Sequence, residues 1–176
     1  MSDGLAPMCL CFLLRDSPAG ARQVLLGDKL RGLGTGNVVG LGGHIETGET
    51  ATAAAVREVA EESGLSVRED DLTYAAFITF WFPDKPSWSQ TATVFTTDRF
   101  TGTLRASDEI VADWHDVTSL PVDQMWDDAR YWLPRVLAGE RLGAEFTFAA
   151  DLRTVVADRT TLGTLPRLAA EESAHR

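Results

Sequence analysis

Residues 43–65 constrain this chain more than any other stretch. Gly43, Glu49, Arg57, Glu58, Glu61, Glu62 and Gly64 punctuate a run that reads as one helix. From Glu49 to Ser63 alanine and glutamate dominate, and both are strong helix formers. Ala51, Ala54, Ala55 and Val59 recur at the i, i+3, i+4 rhythm of a buried helical stripe. Thr47 or Thr50 can cap the start, and Gly64 stands where a left-handed residue ends a helix. On a helix over 50–63, Glu58, Glu61 and Glu62 fall at i, i+3 and i+4. They project from one face with Cβ atoms about 5–6 Å apart.

Three carboxylates so close repel one another and raise one another's pKa. The short run Arg57 to Glu62 alone is ordinary on a solvated helix. The full spacing, glycines included, asks for a cation. Carboxylate oxygens suit hard cations, magnesium foremost and manganese next. Magnesium keeps waters and accepts phosphate oxygens, so a phosphorylated substrate would complete the site. Residues 32–43 carry Gly32, Gly34, Gly36, Gly40, Gly42 and Gly43. They read as a loop whose bare backbone, at Gly43 especially, can approach metal and phosphates. Arg57 can orient the carboxylates as a bidentate partner.

Around this stretch the pattern is mostly strands. Residues 8–14 read as a buried strand and Gln23 to Leu26 as its hairpin mate across the turn at 16–21. Leu72 to Phe82, Thr91 to Thr97 and Ile110 to Trp114 are strand-like, with a loop over 83–89. Asp123 to Leu137 reads as a second helix, and 145–156 as a final short strand or two. A single domain over 1–160 is expected, followed by a polar tail over 161–176 that can hold a short helix.

Composition narrows the partners. Of 176 residues, 44% are apolar, enough for a core without staples. Net charge is −10, which argues against a nucleic-acid polymer but not against a small phosphorylated ligand bridged by metal. No apolar run reaches a membrane span, and Met1 to Pro7 lacks a basic leader, so a cytoplasmic protein without a signal peptide is expected. Cys9 and Cys11 alternate on a strand, one face for both, and read as small buried hydrophobes.

The string Gly43-x5-Glu49-x7-Arg57-Glu58-Val59-x-Glu61-Glu62-x-Gly64-Leu65 resembles the Nudix box. From about Met8 to Arg159 the chain is similar to MutT-type Nudix hydrolases, the oxidised purine nucleoside triphosphatase subgroup in particular. Val24 to Arg31, Ser107-Asp108-Glu109 and Pro121 to Pro134 carry that wider likeness. The resemblance implies an α/β (α+β) fold, an α/β/α sandwich around a mixed sheet. It implies metal ligands at Glu58, Glu61, Glu62 and the Gly42 carbonyl, with Glu109 as a further ligand or base. It implies that Arg57 orients the ligands and Glu49 braces the helix start. In the substrate pocket it implies Trp126 stacked on a purine, Phe80 and Phe82 as walls or core aromatics, Asp128 reading the base, and Lys29 as a ligand contact or surface cation. Two positions depart from the subgroup: Val39 replaces a base-reading asparagine and Ala129 a second base-reading aspartate.

These features lead to a magnesium-dependent pyrophosphohydrolase of nucleoside triphosphates, with oxidised purines such as 8-oxo-dGTP among the candidates. A hydrolase of ADP-ribose or a related nucleotide, and a catalytically idle nucleotide-sensing module, are the alternatives. A monomer or homodimer is expected.

Overall fold

A computed structural model describes residues 4–168. In chain order its elements are β1 (Ala6–Asp16), β2 (Arg22–Lys29), β3 (Val38–Val39), β4 (Leu41–His44), α1 (Ala51–Ser63), β5 (Leu65–Ser66), β6 (Thr73–Trp81), β7 (Gln90–Thr97), β8 (Thr101–Gly102), β9 (Ile110–Asp116), α2 (Ala129–Leu137), β10 (Leu142–Phe148) and β11 (Val155–Leu162). Of the two possible caps for α1, the chain uses Thr50, whose hydroxyl accepts from the Ala53 amide at 3.1 Å. Gly64 ends the helix at φ 73°, in the left-handed region that suits glycine.

One mixed sheet runs in the order β11-β10-β6-β7-β1-β2-β3, with β4 beside β1 and β9 beside β2. The pairs β1–β7 and β6–β10 are parallel and the rest antiparallel. β1 changes partner along its length: Met8 to Cys11 pair with β4, and Leu14 to Asp16 with β2. That change opens the sheet beside β4, next to α1.

Strand alternation divides the core into two layers. Phe12, Leu14, Val24 and Leu26 face α2 and pack with Trp132, Leu133 and Val136. Cys9, Cys11, Leu13 and Leu25 face α1 and pack with Ala54, Ala55 and Val59. A helix on each face of a mixed sheet is the expected α/β/α sandwich. Both cysteines are free and fully buried, and burial pushes the Cys9 thiol up to about 11. They behave as small hydrophobes. Among the described residues no helix is long and apolar enough to cross a membrane.

Two expectations need correction. The supposed loop over 32–43 contains β3 and the start of β4. Gly42 and Gly43 are strand residues and Gly40 links the two strands, and neighbouring atoms crowd all three: a Cβ on Gly40 would lie 2.7 Å from the Phe12 ring. The second helix begins at Ala129: Asp127 spends its carboxylate on the Val155 amide, 28 residues on, and 122–124 form only a 3-10 turn. The strand or two expected over 145–156 is a hairpin of β10 and β11, and β11 continues to Leu162. Any short helix beyond residue 168 lies outside the described residues.

Candidate active site

Arg57 organises the acidic face of α1. Its Nε and Nη2 donate to the two Glu49 oxygens at 2.8 and 2.9 Å, a fork-on-fork pair. Nη2 also donates to the His44 carbonyl at 3.1 Å, and Nη1 to Glu58 Oε1 at 2.7 Å. The pairing raises the Arg57 pKa and holds Glu49 down at about 2. Glu49 also accepts from the Glu46 amide at 3.0 Å, which braces the helix entry as expected.

Glu58 and Glu62 turn inward against β4. Glu62 is only 2% exposed. Its Oε2 accepts from the Gly42 amide at 2.9 Å, while its buried Oε1 has no hydrogen-bond partner. Burial, opposed by that amide, pushes Glu62 up to about 8. Glu58 is raised too, chiefly by burial, with Arg57 opposing. Its carboxylate lies against Gly43. Glu61 stands apart: its side chain is 60% exposed, and among the described residues its one ionic contact is Arg57 at 3.5 Å. Among the described residues, no three Asp, Glu, His or Cys side chains already converge to enclose an ion. Two inward carboxylates, one with a buried bare oxygen, still suit a hard cation that takes its remaining ligands from water and phosphate.

Gly42 and Gly43 also line a cavity of about 350 Å³ on the other side of β4. Lys29, Phe80, Phe82, Glu109, Trp126 and Asp128 line the same cavity. The structure therefore brings together eight of the residues singled out in the sequence. Glu58 and Glu62 meet the cavity through the backbone of Gly43 and Gly42. Arg57 and Glu61 remain outside it.

The aromatic walls are interlocked. Phe82 stacks on Phe148 with ring centres 4.4 Å apart, and Trp126 meets both rings edge-on at 6.1 and 6.0 Å. Phe80 and Phe82 are buried as well as cavity-lining, so they serve as core and wall at once. Phe148, Trp132 and Arg31 also line the cavity and were not singled out as site residues. The alternation Phe146-Thr147-Phe148 marks a strand face, but only the parallel pairing of β10 with β6 shows what it faces.

Asp128 is buried, and its Oδ2 accepts from Trp132 Nε1 at 2.7 Å. Burial raises its pKa to about 6. Val39 and Ala129, which carry no polar side-chain atom, line the cavity with it. Asp128→Asn keeps the acceptor for Trp132 and removes the charge. An acid whose pKa is higher folded than unfolded supports folding below its unfolded value and loses that support as pH rises through its folded value. The Asn variant should match the parent near pH 4 and exceed it above about pH 6, by up to about 3 kcal/mol. Urea denaturation at about pH 4.5 and about pH 7.5 checks this, and an equal gap at both would contradict it.

A NUDIX domain profile matches residues 9–136. The chain is 40% identical over 126 residues to the oxidized purine nucleoside triphosphate hydrolase of Danio rerio, covering 72% of this chain and 79% of that protein. To the Mus musculus protein of the same name it is 37% identical over 127 residues, covering 72% and 80%. Its fold resembles a MutT protein from Bacillus halodurans at TM-score 0.72 and 22% identity, covering 89% of this chain and 97% of that one. A box helix with this spacing, an α/β/α sandwich around it and a domain match across most of the chain agree: the protein belongs to the Nudix family.

Proposed function

We propose that this chain is a magnesium-dependent pyrophosphohydrolase of purine nucleoside triphosphates, oxidised forms such as 8-oxo-dGTP included. One observation carries the reading: Gly42 and Gly43 join the two halves of the site. One side of their strand meets the carboxylates of Glu62 and Glu58, and the other lines an aromatic cavity of about 350 Å³. That volume and the flat walls of Trp126, Phe82 and Phe148 suit a base.

Glu58, Glu62, the Gly42 carbonyl, Glu61 and Glu109 would hold the cation. When bound, divalent cations neutralise the diphosphate and lower the pKa of water. Lys29 and Arg31, in a chain of net charge −10, put positive charge where the phosphates pass. Arg57, locked by Glu49 and the His44 carbonyl, keeps Glu58 from swinging away. A solvent-facing carboxylate, Glu61 or Glu109, takes the proton of the attacking water. The water oxygen bonds to phosphorus as the bond to the pyrophosphate leaving group breaks, and positioning supplies most of the acceleration.

Val39 and Ala129 bear on specificity. A site rejects the wrong base strongly only when buried polar groups would go unpaired. With Asp128 the one acid left to read the base, 8-oxo-dGTP and dGTP should be hydrolysed with kcat/KM values within about tenfold of each other. The test is product analysis on a panel of canonical and oxidised triphosphates and ADP-ribose with magnesium. Monophosphate and pyrophosphate from triphosphates are expected. Inorganic phosphate alone, or turnover of ADP-ribose only, would overturn the reading.

A further inference from the structure

Trp126 lies on a segment with little regular structure. Residues 122–124 form a 3-10 turn, α2 starts at Ala129, and between them the backbone makes few hydrogen bonds. The indole nonetheless occupies a defined place. It meets Phe82 and Phe148 edge-on, and Gly34 approaches so closely that a Cβ there would lie 2.9 Å from Trp126 Nε1. Packing limits how the ring tilts but does not fix the segment that carries it.

Asp127 does. Its Oδ2 accepts from the backbone amide of Val155 at 2.8 Å, 28 residues away, and its Oδ1 pairs with Arg130 Nε at 2.9 Å. Val155 opens β11 opposite Phe148, and its amide donates to Asp127. The turn before it is held firmly. Asp151 accepts from the amides of Arg153 and Thr154 at 2.8 and 2.9 Å and from the Thr154 hydroxyl at 2.6 Å. Leu152 in that turn has φ 58°, the one positive φ outside glycine among the described residues. A branched apolar residue stays in that conformation only when its surroundings over-determine it. A rigid turn thus presents one N–H to one carboxylate.

We propose that Asp127 is a positioning residue for nucleotide binding: it ties the Trp126 segment to the β10–β11 hairpin and so holds the indole as a wall of the cavity. The hairpin (142–162) lies beyond the stretch matched by the family profile, 9–136. Through Asp127 and Phe148 it becomes part of the substrate site. This rests on the reading that the cavity takes a nucleotide base.

The experiment compares Asp127→Ala and Asp127→Asn with the parent. Asparagine keeps an oxygen for the Val155 amide; alanine does not. With 8-oxo-dGTP and dGTP, the Ala variant should raise KM about tenfold and leave kcat within about twofold, while Asn stays within about threefold of parental KM. A merely structural role would lower active enzyme and shift kcat instead. Hydrogen exchange without nucleotide gives a second reading: peptides over 121–128 and the Val155 amide should exchange faster in the Ala variant, with α1 unchanged. If Ala does not fold, Asp127→Ser carries the same comparison. Unchanged KM and exchange in the Ala variant, or an Asn variant as impaired as Ala, overturns the proposal. A parent that hydrolyses no triphosphate sinks the functional reading instead, and the exchange measurement still decides the tether.

Discussion

Glu62→Gln should cost about a thousandfold in turnover while the protein stays folded, a loss worth about 4 kcal/mol of transition-state stabilisation. The isostere keeps an oxygen for the Gly42 amide, now 2.9 Å from the carboxylate. It replaces the other oxygen, buried without a partner, by an amide nitrogen. One orphan polar group succeeds another and a buried acid goes, so without metal the variant should be at least as stable as the parent at neutral pH. Only the charge is lost. That charge is costly where it sits, since burial pushes the group up to about 8, and a helix gains nothing structural from it. A bound cation is the one partner that turns the cost into affinity. Titration with Mn2+ should show binding to the variant weakened about tenfold or more. Activity and Mn2+ affinity close to the parent's would remove Glu62 from the metal site. Glu61→Gln provides the contrast: its exposed side chain makes a 3.5 Å contact to Arg57, so its loss perturbs the fold least.

How much of this was legible follows from which interactions are local. The box helix was, because i, i+3, i+4 spacing fixes the shared face of Glu58, Glu61 and Glu62 without knowledge of the fold. Its split into two inward acids and one outward was not, because β4 decides it. β3 and β4 were hidden by the glycines in and between them. In sequence Gly40, Gly42 and Gly43 signal a loop; in the fold each marks where the Phe12 ring, the Cys9 carbonyl and Glu58 come against the strand. Residues 123–128 looked helical because their competitors are remote: the Val155 amide that takes Asp127 is 28 residues on. Phe148 escaped for the same reason. The cavity floor comes from strand pairing, which no short string encodes.

Neighbouring glycines 42 and 43 should separate fold from function when each becomes alanine. At Gly42 a Cβ would sit 2.0 Å from the backbone oxygen of Cys9, and φ is 155°. The obstacle is main chain inside the β1–β4 ladder, where Leu10 pairs with Gly42, so it cannot yield without unpicking the sheet. Gly42→Ala should therefore cost at least about 4 kcal/mol, enough to leave little native protein. At Gly43 the Cβ would meet Glu58 Oε1 at 2.4 Å, the far end of a flexible side chain with no unusual φ in the way. That end can rotate, but only by leaving the place Arg57 gives it. Gly43→Ala should then fold with a Tm within a few degrees of the parent's and lose about a hundredfold or more in kcat/KM. Gly48→Ala is the control, with φ 82° and nothing within 4 Å, and should cost about 1 kcal/mol of stability with full activity. Circular dichroism melts and initial rates on the three variants decide the matter. A folded Gly42→Ala would mean that β4 is freer of β1 than the close approach to Cys9 implies. A fully active Gly43→Ala would mean that Glu58 is not where the chemistry needs it.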